Sequence, residues 1–337
     1  MIKNRTILGN NEGMALLITI MVISLLVAVT IQFSRGMRQN YLTAATSMDG
    51  WQQHLIANSA LNIGSLLLEN DGEENDFDSL QDVWGTLEAE VFQGLFARGE
   101  LELQVQDLSG LLQINSLVEH GKEGENNNNA NENREILKQL LLSGTFELEG
   151  EEMARDIVDA LVDWLDEDDR ESDFGAESGY YRSLNEPYSC RNGAVATIEE
   201  LLLVKGITPE LLMGEGDNKG LADFVTVFGN DGTININTAP GELIRAMAPQ
   251  LSMDMIDTLT EYRKEEGNRE NLKEKNWYNS VSGWPGDIIL PEKVITTKST
   301  YFRLVAAGSF HDLRREIIAV MERDKDNHVG MLYKKVE

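Results

Sequence analysis

The chain has 337 residues, of which 57 are acidic and 29 are basic, so its formal net charge at pH 7 is −28. Proteins that bind DNA or RNA neutralise phosphates with basic patches, and this charge balance therefore argues against a nucleic-acid surface. The single cysteine, Cys190, cannot close an internal disulfide. Four scattered histidines and no recognisable nucleophile motif leave no catalytic constellation, and we do not predict an enzyme.

A short basic leader, Met1–Gly13, precedes an uncharged apolar run from Met14 to Phe33. As a helix that run spans about 30 Å, which is the thickness of one hydrocarbon core. A removable secretory signal has a shorter apolar stretch of roughly 7–15 residues and a small-residue cleavage site. The sequence therefore predicts a transmembrane helix that remains in the chain.

The junction between the leader and the apolar run resembles a type IV prepilin signal: it has Lys3 and Arg5, then Gly13, then Met14. The resemblance implies that a prepilin peptidase cleaves between Gly13 and Met14 on the cytoplasmic side and methylates the new amino terminus. It also places the bulk of the chain outside the cytoplasm. The alternative is a plain signal anchor with a chance glycine.

The fifth residue after the expected cleavage is Ile18, where ordinary subunits of the prepilin superfamily carry glutamate. A buried carboxylate is costly unless it meets a partner charge, and in such filaments the partner is the amino terminus of a neighbouring subunit. Ile18 therefore fits a subunit that has no neighbour beyond it.

Beyond the membrane, apolar residues recur near a helical period of 3.6 from Met37 to Leu68. The alternating segment Leu101–Gln106 predicts a strand, and Tyr301–Phe310 with Leu313–Met321 predicts a hairpin. A helical patch is expected around Leu80–Phe96. With β material at both ends and helices between, we predict an α+β fold: a long N-terminal helix, transmembrane and then amphipathic, lies on a small antiparallel pilin-like sheet with a large all-α domain inserted.

The expected domain boundaries follow from this pattern. They are 1–13 for the leader peptide, 14–33 for the transmembrane helix, 34–116 for the first pilin-like part, 117–291 for the inserted domain, 292–323 for the second pilin-like part, and 324–337 for a polar tail.

Within the insertion, Ile236–Arg263 resembles a helix-hairpin-helix unit, with Asn237 or Thr238 expected as the N-cap of its first helix. Such units in DNA-uptake proteins hold phosphate with backbone amides of a glycine-containing hairpin. Here the hairpin, Ala248–Ser252, has no glycine, and Pro249 removes one amide. The helical scaffold of a DNA-uptake protein is thus matched, but its phosphate-binding hairpin is not. A minor pilin-like DNA-uptake protein is kept as the alternative function.

The insertion also carries an acidic run, with fourteen Asp or Glu against two Arg between Thr145 and Glu177. Acids that follow a helix are poorly placed, because helix C-termini carry partial negative charge. Ca²⁺, which takes about six to eight oxygen ligands, would relieve this. The spacing is not that of an EF-hand, and the residues alone leave a solvated acidic face equally open.

A series of motifs in chain order resembles the general secretion pathway protein K family, the minor pseudopilins of type II secretion. The motifs are Asp107-Leu-Ser-Gly-(x)3-Ile-Asn115, Ile157–Asp166, Gly175–Glu177, Tyr180-Tyr181, Pro187-Tyr188, Glu200–Gly206 and Ile234–Pro240. The resemblance implies an inner-membrane, single-pass protein with its bulk in the periplasm. It implies a role in capping the pseudopilus tip and helping to initiate its assembly, for protein export across the outer membrane.

The resemblance also implies partners and a cofactor. The partners are other minor pseudopilins in a tip heterocomplex, the major pseudopilin and the prepilin peptidase. The cofactor is calcium, and carried over by position its ligands are expected in the acidic loop, at Asp166, Asp168, Asp173 and Glu177.

Overall fold

A single helix, α1 (Glu12–Glu74), begins the structure and is about 95 Å long at 1.5 Å per residue. Its N-terminal part is apolar and uncovered; an 18-residue window has a mean hydropathy of 2.8, so the helix is long and apolar enough to cross a membrane. The computed structural model describes residues 12–87, 89–92, 94–119, 129–146, 148, 150–311 and 313–337. Lys3 and Arg5 of the leader lie outside these ranges.

The strands form one larger sheet and two small parallel ladders. They are β1 (Glu100–Asp107), β2 (Leu112–Gln113), β3 (Val225–Thr226), β4 (Ile234–Asn235), β5 (Ile295–Thr296), β6 (Tyr301–Phe310), β7 (Leu313–Arg323) and β8 (Val329–Val336). The larger sheet is antiparallel, in the order β1-β6-β7-β8. β2 pairs with β3 and β4 with β5.

One face of the larger sheet packs on the second half of α1. Alternate residues of β1 and β6, such as Leu103 and Leu304, join Ala57 and Leu61 of α1 in a single core. The packing is close: a Cβ at Gly308 of β6 would lie 2.3 Å from the carbonyl oxygen of Gln53. The expected long helix on a pilin-like antiparallel sheet is therefore confirmed.

The chain between β1 and β6 builds a mostly helical insertion. Its α-helices are α2 (Asn129–Leu141), α3 (Glu151–Leu165), α4 (Ser178–Arg182), α5 (Pro209–Met213), α6 (Gly241–Met247) and α7 (Met253–Tyr262). Short 3₁₀ helices lie at Ile114–Leu117, Ile198–Leu203, Leu221–Asp223, Glu266–Lys273 and Trp277–Ser280. The insertion has its own hydrophobic core, separate from the core between α1 and the sheet.

A buried polar cluster joins the insertion to the sheet. This junction network consists of Asp78, Asp107, Asn235, Ser299 and Arg323. The Asp107 carboxylate, at the end of β1, accepts hydrogen bonds from Ser299 Oγ at 2.5 Å and from Asn235 Nδ2 at 3.2 Å. Ser299 N donates to Asp78 at 2.7 Å, and the Arg323 guanidinium also binds Asp78.

The junction network lies at the end of α1 that is far from the membrane-compatible segment. Arg323 Nη1 donates to the carbonyl oxygen of Leu68 at 3.2 Å and to Asp71 Oδ2 at 3.3 Å, both in the last turns of α1. The inserted domain therefore leaves the pilin-like sheet at its membrane-distal end.

Residues 324–337, expected as a polar tail, instead include β8, which forms the fourth strand of the sheet. Its side chains, including Met331, Leu332 and Tyr333, are exposed. An edge strand without one buried face has no alternating apolar pattern to reveal it.

Two further expectations are corrected. The region Leu80–Phe96 contains a 3₁₀ helix at Ala89–Phe92 and turns in its described part rather than an α-helical patch. Neither Asn237 nor Thr238 caps α6, because that helix begins later, with Pro240 at the N-cap position. Their side chains bind Asp78 O and Asp107 Oδ2 at the junction.

Candidate functional site

Three carboxylates converge where α3 ends. Asp163 lies in the last turn of α3, Asp166 is its C-cap, and Glu177 is the N-cap of α4. One carboxylate oxygen from each lies within 4.8 Å of the other two. We call these three residues the carboxylate cluster. Because the C-terminus of a helix is itself partly negative, this arrangement concentrates negative charge at one point.

Two oxygens of the carboxylate cluster are buried without a hydrogen-bond donor among the residues that the structure describes: Asp166 Oδ1 and Glu177 Oε1. Burial, with the charges of Asp168 and Asp163, raises the pKa of Asp166 to about 6. Burial, with the charges of Asp163 and Asp166, raises the pKa of Glu177 to about 7. The site thus holds a negative charge that the surrounding protein does not fully compensate.

The loop from Asp166 to Glu177 is held in place by specific contacts. Ser172 N donates to the Asp163 carboxylate at 3.1 Å, and Lys205 Nζ donates to the carbonyl oxygens of Phe174 and Gly175 at 3.1 and 2.9 Å. A Cβ at Gly175 would lie 1.9 Å from Asp163 Oδ2, so the backbone approaches the carboxylate more closely than any other residue type permits.

The structure brings together two of the four ligands expected from the sequence, Asp166 and Glu177. Asp168 is exposed and forms an ion pair with Arg170 at 2.6 Å, and Asp173 is exposed and lies outside the carboxylate cluster. The third member is Asp163, which is fully buried. Its position three residues before Asp166 places both on one side of the helix end, and that spacing is the signal that could have identified it.

The carboxylate cluster fits a hard cation. Carboxylate oxygens are the ligands that Ca²⁺ prefers; the three residues bring one carboxylate oxygen each within 4.8 Å of the others, and two of their oxygens are buried without a donor from the described residues. Asn192 lies beside the loop, since its Nδ2 donates to the Asp168 carbonyl oxygen at 2.7 Å. Its Oδ1 is also buried without a donor from the described ranges, so it can offer a neutral oxygen to the same region.

The other acidic groupings in the described residues differ from this cluster. Asp71, Asp78 and Asp82 are buried, but Arg323 and Arg269 form ion pairs with them. Asp324, Asp326 and His328 lie exposed in the turn between β7 and β8. The carboxylate cluster is therefore the best candidate for a cation site.

The residues of the expected processing site lie in α1. Gly13 and Met14 form part of its first described turn, and Met14 and Ile18 are both exposed in a segment free of charged side chains. These positions fit a bilayer-embedded helix end. Cleavage and methylation at Gly13–Met14 stay predictions.

Beyond the membrane-compatible segment, one side of α1 remains uncovered. Met37, Tyr41, Met48, Trp51 and Leu55 are exposed, and we call them the α1 stripe. Several members lie seven residues apart, which is the spacing of helix-to-helix contacts in bundles. From Ile56 onward the opposite side of the helix packs on the sheet, whereas residues 37–48 are exposed on nearly all sides.

The region that resembles a helix-hairpin-helix unit does form two helices, α6 and α7, joined at Ala248–Ser252. The side chains of Leu243, Ile244 and Leu259 enter the insertion core. The unit thus contributes to packing.

Comparison with known proteins agrees with this architecture. Two family models for type II secretion system protein K match residues 110–215 and 234–283. The type II secretion system protein K of Aeromonas hydrophila is 28% identical over 335 residues, covering 95% of both chains. That of Pseudomonas aeruginosa is 24% identical over 235 residues, covering 69% of this chain and 64% of its own length.

The fold is also shared with a solved structure. A chain in the crystal structure of the GspK-GspI-GspJ complex from the type 2 secretion system of enterotoxigenic Escherichia coli superposes with a TM-score of 0.64. The sequences are 16% identical, and the match covers 87% of this chain and 99% of the other. With two family models matching in chain order and a relative similar over nearly its whole length, the chain is similar throughout to the type II secretion system protein K family.

Proposed function

We propose that this protein caps the tip of a periplasmic pseudopilus and helps to initiate its assembly, in protein export across the outer membrane. The observation that carries this proposal is the position of the inserted domain. It leaves the sheet at the end of α1 that is far from the membrane-compatible segment, where a further subunit would otherwise stack.

The α1 stripe supports the proposal that partners are other minor pseudopilins. Exposed apolar side chains at helical spacing on a helix outside the bilayer would be covered when partner helices pack beside it. The similar fold in the GspK-GspI-GspJ complex suggests a heterocomplex of the same kind. The major pseudopilin would follow below this complex.

The N-terminal segment supports a single-pass inner-membrane location before assembly, with the bulk of the chain in the periplasm. We propose that prepilin peptidase removes residues 1–13 and methylates Met14. Ile18, in place of a glutamate, leaves nothing to pair with the amino terminus of a subunit above, as a tip position requires.

We also propose that calcium binds at the carboxylate cluster, through Asp163, Asp166 and Glu177. When bound, the cation neutralises the negative charge at the end of α3 and holds the loop of residues 166–177 in place. The role is structural, since the ion links α3 to α4 within the inserted domain.

Two measurements test the assignment. The first is the N-terminal mass of the membrane-extracted full chain, with and without a co-expressed prepilin peptidase. We expect N-methylated Met14 as the first residue only when the peptidase is present; an intact Met1 under both conditions would contradict the pseudopilin assignment.

The second measurement is formation of a complex between the full chain and two other minor pseudopilins, followed by affinity capture. Trp51→Glu in the α1 stripe should abolish the complex. The matched control is Ile289→Glu, because Ile289 of the insertion is as exposed as Trp51, at 72% against 68%. Equal capture of both variants would argue against the α1 stripe as the partner surface.

A further inference from the structure

An apolar cleft lies between the inserted domain and the face of the sheet that is turned away from α1. Its volume is about 280 Å³, near the lower end of the range for small-molecule sites, which often lie between domains. Ile318 and Val320 of β7 and Leu108 form one side, and Val225 and Phe228 of the insertion form the other.

The cleft exists because the two large cores do not meet. Among the residues that the structure describes, the apolar cluster between the insertion core and the core of α1 and the sheet is small: Leu108, Leu111 and Val320, with Phe228 and Tyr301 against it. The apolar surface of the cleft beside this cluster is left without side chains to fill it.

Three charged residues line the cleft, and their situations differ. Lys335 forms an ion pair with Glu337 at 2.6 Å. Arg303 of β6 is exposed at the cleft and forms no ion pair among the described residues, but together with the larger effect of Lys335 its charge lowers the pKa of Glu337. Glu199, from the 3₁₀ helix Ile198–Leu203, lies on the insertion side. Arg303 is thus an exposed cation beside an apolar surface, with Glu337 close enough to compete with a bound anion.

We propose that this cleft binds a small amphipathic carboxylate, with its apolar chain in the cleft and its carboxylate on Arg303. The planar guanidinium matches a carboxylate in a two-point hydrogen bond, and the apolar walls gain from covering a hydrocarbon chain. Glu199 opposes the bound anion. This site is separate from the carboxylate cluster and does not depend on the proposed pseudopilus role.

The test uses the full chain in nanodiscs and a medium-chain alkyl carboxylate that carries a diazirine, with labelled peptides identified by mass spectrometry. Because the probe also enters the bilayer, labelling of Met14–Phe33 serves as an internal reference. We expect light-dependent labelling around Val225–Phe228 and Ile318–Val320, in addition to the reference.

Two charge variants then distinguish this binding from simple apolar adhesion. Arg303→Gln should lower labelling of the cleft about tenfold relative to the reference, the usual size of one lost charged hydrogen bond. Glu199→Gln should raise it about threefold, by removing one opposing charge near the surface. With a matched alkylammonium probe, the order of the two variants should reverse.

Labelling confined to Met14–Phe33 would overturn the proposal. So would equal labelling of the cleft by the carboxylate and the ammonium probes, because the cleft would then select for apolarity alone. Both variants replace side chains at the solvent-accessible margin of the cleft, and thermal unfolding confirms that each remains folded.

Discussion

Arg323 at the end of β7 binds the carboxylate of Asp78, which follows α1 in the chain. The carbonyl oxygen of Asp78 accepts hydrogen bonds from Asn235 and Asn237 of the inserted domain. Asp78 thus joins the pilin-like sheet to the insertion. The same guanidinium also binds Asp71 and the carbonyl oxygen of Ser299. Replacing both partners of a buried ion pair by apolar residues often costs little stability, but removing one partner leaves the other as an uncompensated buried charge. The junction is therefore sensitive to single substitutions.

Replacement of Arg323 by methionine is expected to lower the free energy of unfolding by about 3–5 kcal/mol, because Asp78 and Asp71 lose their cation in a buried place. Urea unfolding of the detergent-solubilised full chain measures the change. Arg315→Met is the matched control in the same strand: Arg315 is exposed, and a change within about 0.5 kcal/mol is expected. Equal changes in the free energy of unfolding for the two variants would show that the buried Arg323–Asp78 pair does not stabilise the junction.

Asp166→Asn and Glu177→Gln are each expected to weaken calcium binding by at least roughly tenfold, since loss of even an outer-shell partner costs that much at metal sites. Asp173→Asn and Asp168→Asn are the controls, because both residues lie outside the carboxylate cluster. Isothermal titration of the full chain compares the four variants. A larger loss with the exposed pair would place the ion elsewhere in the loop.

The same substitutions are expected to act in the opposite direction without calcium. A neutral amide at position 166 removes a repelled and partly buried carboxylate, and should raise the stability of the calcium-free protein by about 1 kcal/mol or less after allowance for solvent screening. Unfolding in the presence of a chelator measures this effect. A loss of stability in both conditions would indicate a packing defect rather than a cation ligand.

The stability of the calcium-free protein is expected to fall as pH rises from about 4 to about 7. The pKa values of Asp166 and Glu177 in the folded protein are about 6 and about 7, above the usual 3.8 and 4.5, because burial disfavours their charged forms. The folded protein therefore binds more protons than the unfolded chain across this window, and it loses that advantage as the carboxyls ionise.

Calcium competes with these protons, so its stabilising effect should grow over the same pH range. Thermal unfolding with calcium and with a chelator, at intervals between pH 5 and pH 8, gives the difference at each pH. If the difference between unfolding with calcium and with a chelator does not change with pH, then calcium does not displace protons from Asp166 and Glu177.

Gly175→Ala is expected to destabilise the inserted domain by about 1–3 kcal/mol and to abolish the effect of calcium on unfolding. The added methyl group would collide with Asp163 Oδ2 and push the loop away from the carboxylate cluster. Gly179→Ala in α4 is the control, because a Cβ at Gly179 meets nothing within 4 Å. Thermal unfolding with and without calcium distinguishes the two.

Ile18→Glu is expected to leave the folded periplasmic part unchanged and to alter assembly. A carboxylate at this depth in the membrane is costly unless it pairs with the amino terminus of a neighbouring subunit. Secretion in cells and the position of the labelled subunit along isolated pseudopili measure the effect. Ile23→Glu carries the same charge at another depth and serves as control. Secretion and tip complexes unaffected by Ile18→Glu would remove the proposed reason for the isoleucine.

Several elements were predictable because their signals are local. The uncharged run Met14–Phe33, the alternation in Leu101–Gln106 and the two apolar strands at Tyr301–Phe310 and Leu313–Met321 each follow from the period or length of an apolar pattern. The strand β8 was not predictable, because nearly all of its side chains are exposed and it therefore has no alternating apolar pattern; its backbone pairing with β7 defines it.

The acidic loop shows the same division within a single site. Its charge and its position after α3 were evident from the sequence, and they indicated a cation. Which carboxylates converge was not evident, because Asp168 and Asp173 lie nearer to Glu177 in the sequence than Asp163 does. The fold of the chain around Gly175 buries Asp163 and Glu177 together, whereas Asp168 stays exposed and forms an ion pair with Arg170.

The sequence by itself thus determined the membrane helix, the pilin-like plan with its insertion, the family resemblance and the acidic character of the loop, all of which reside in composition, order and periodicity. The tertiary structure alone decided the carboxylate cluster, the junction network and the cleft beside Arg303. These depend on residues that are far apart in the chain, such as Asp78 and Arg323, and their contacts form only when separate hydrophobic cores have brought them together.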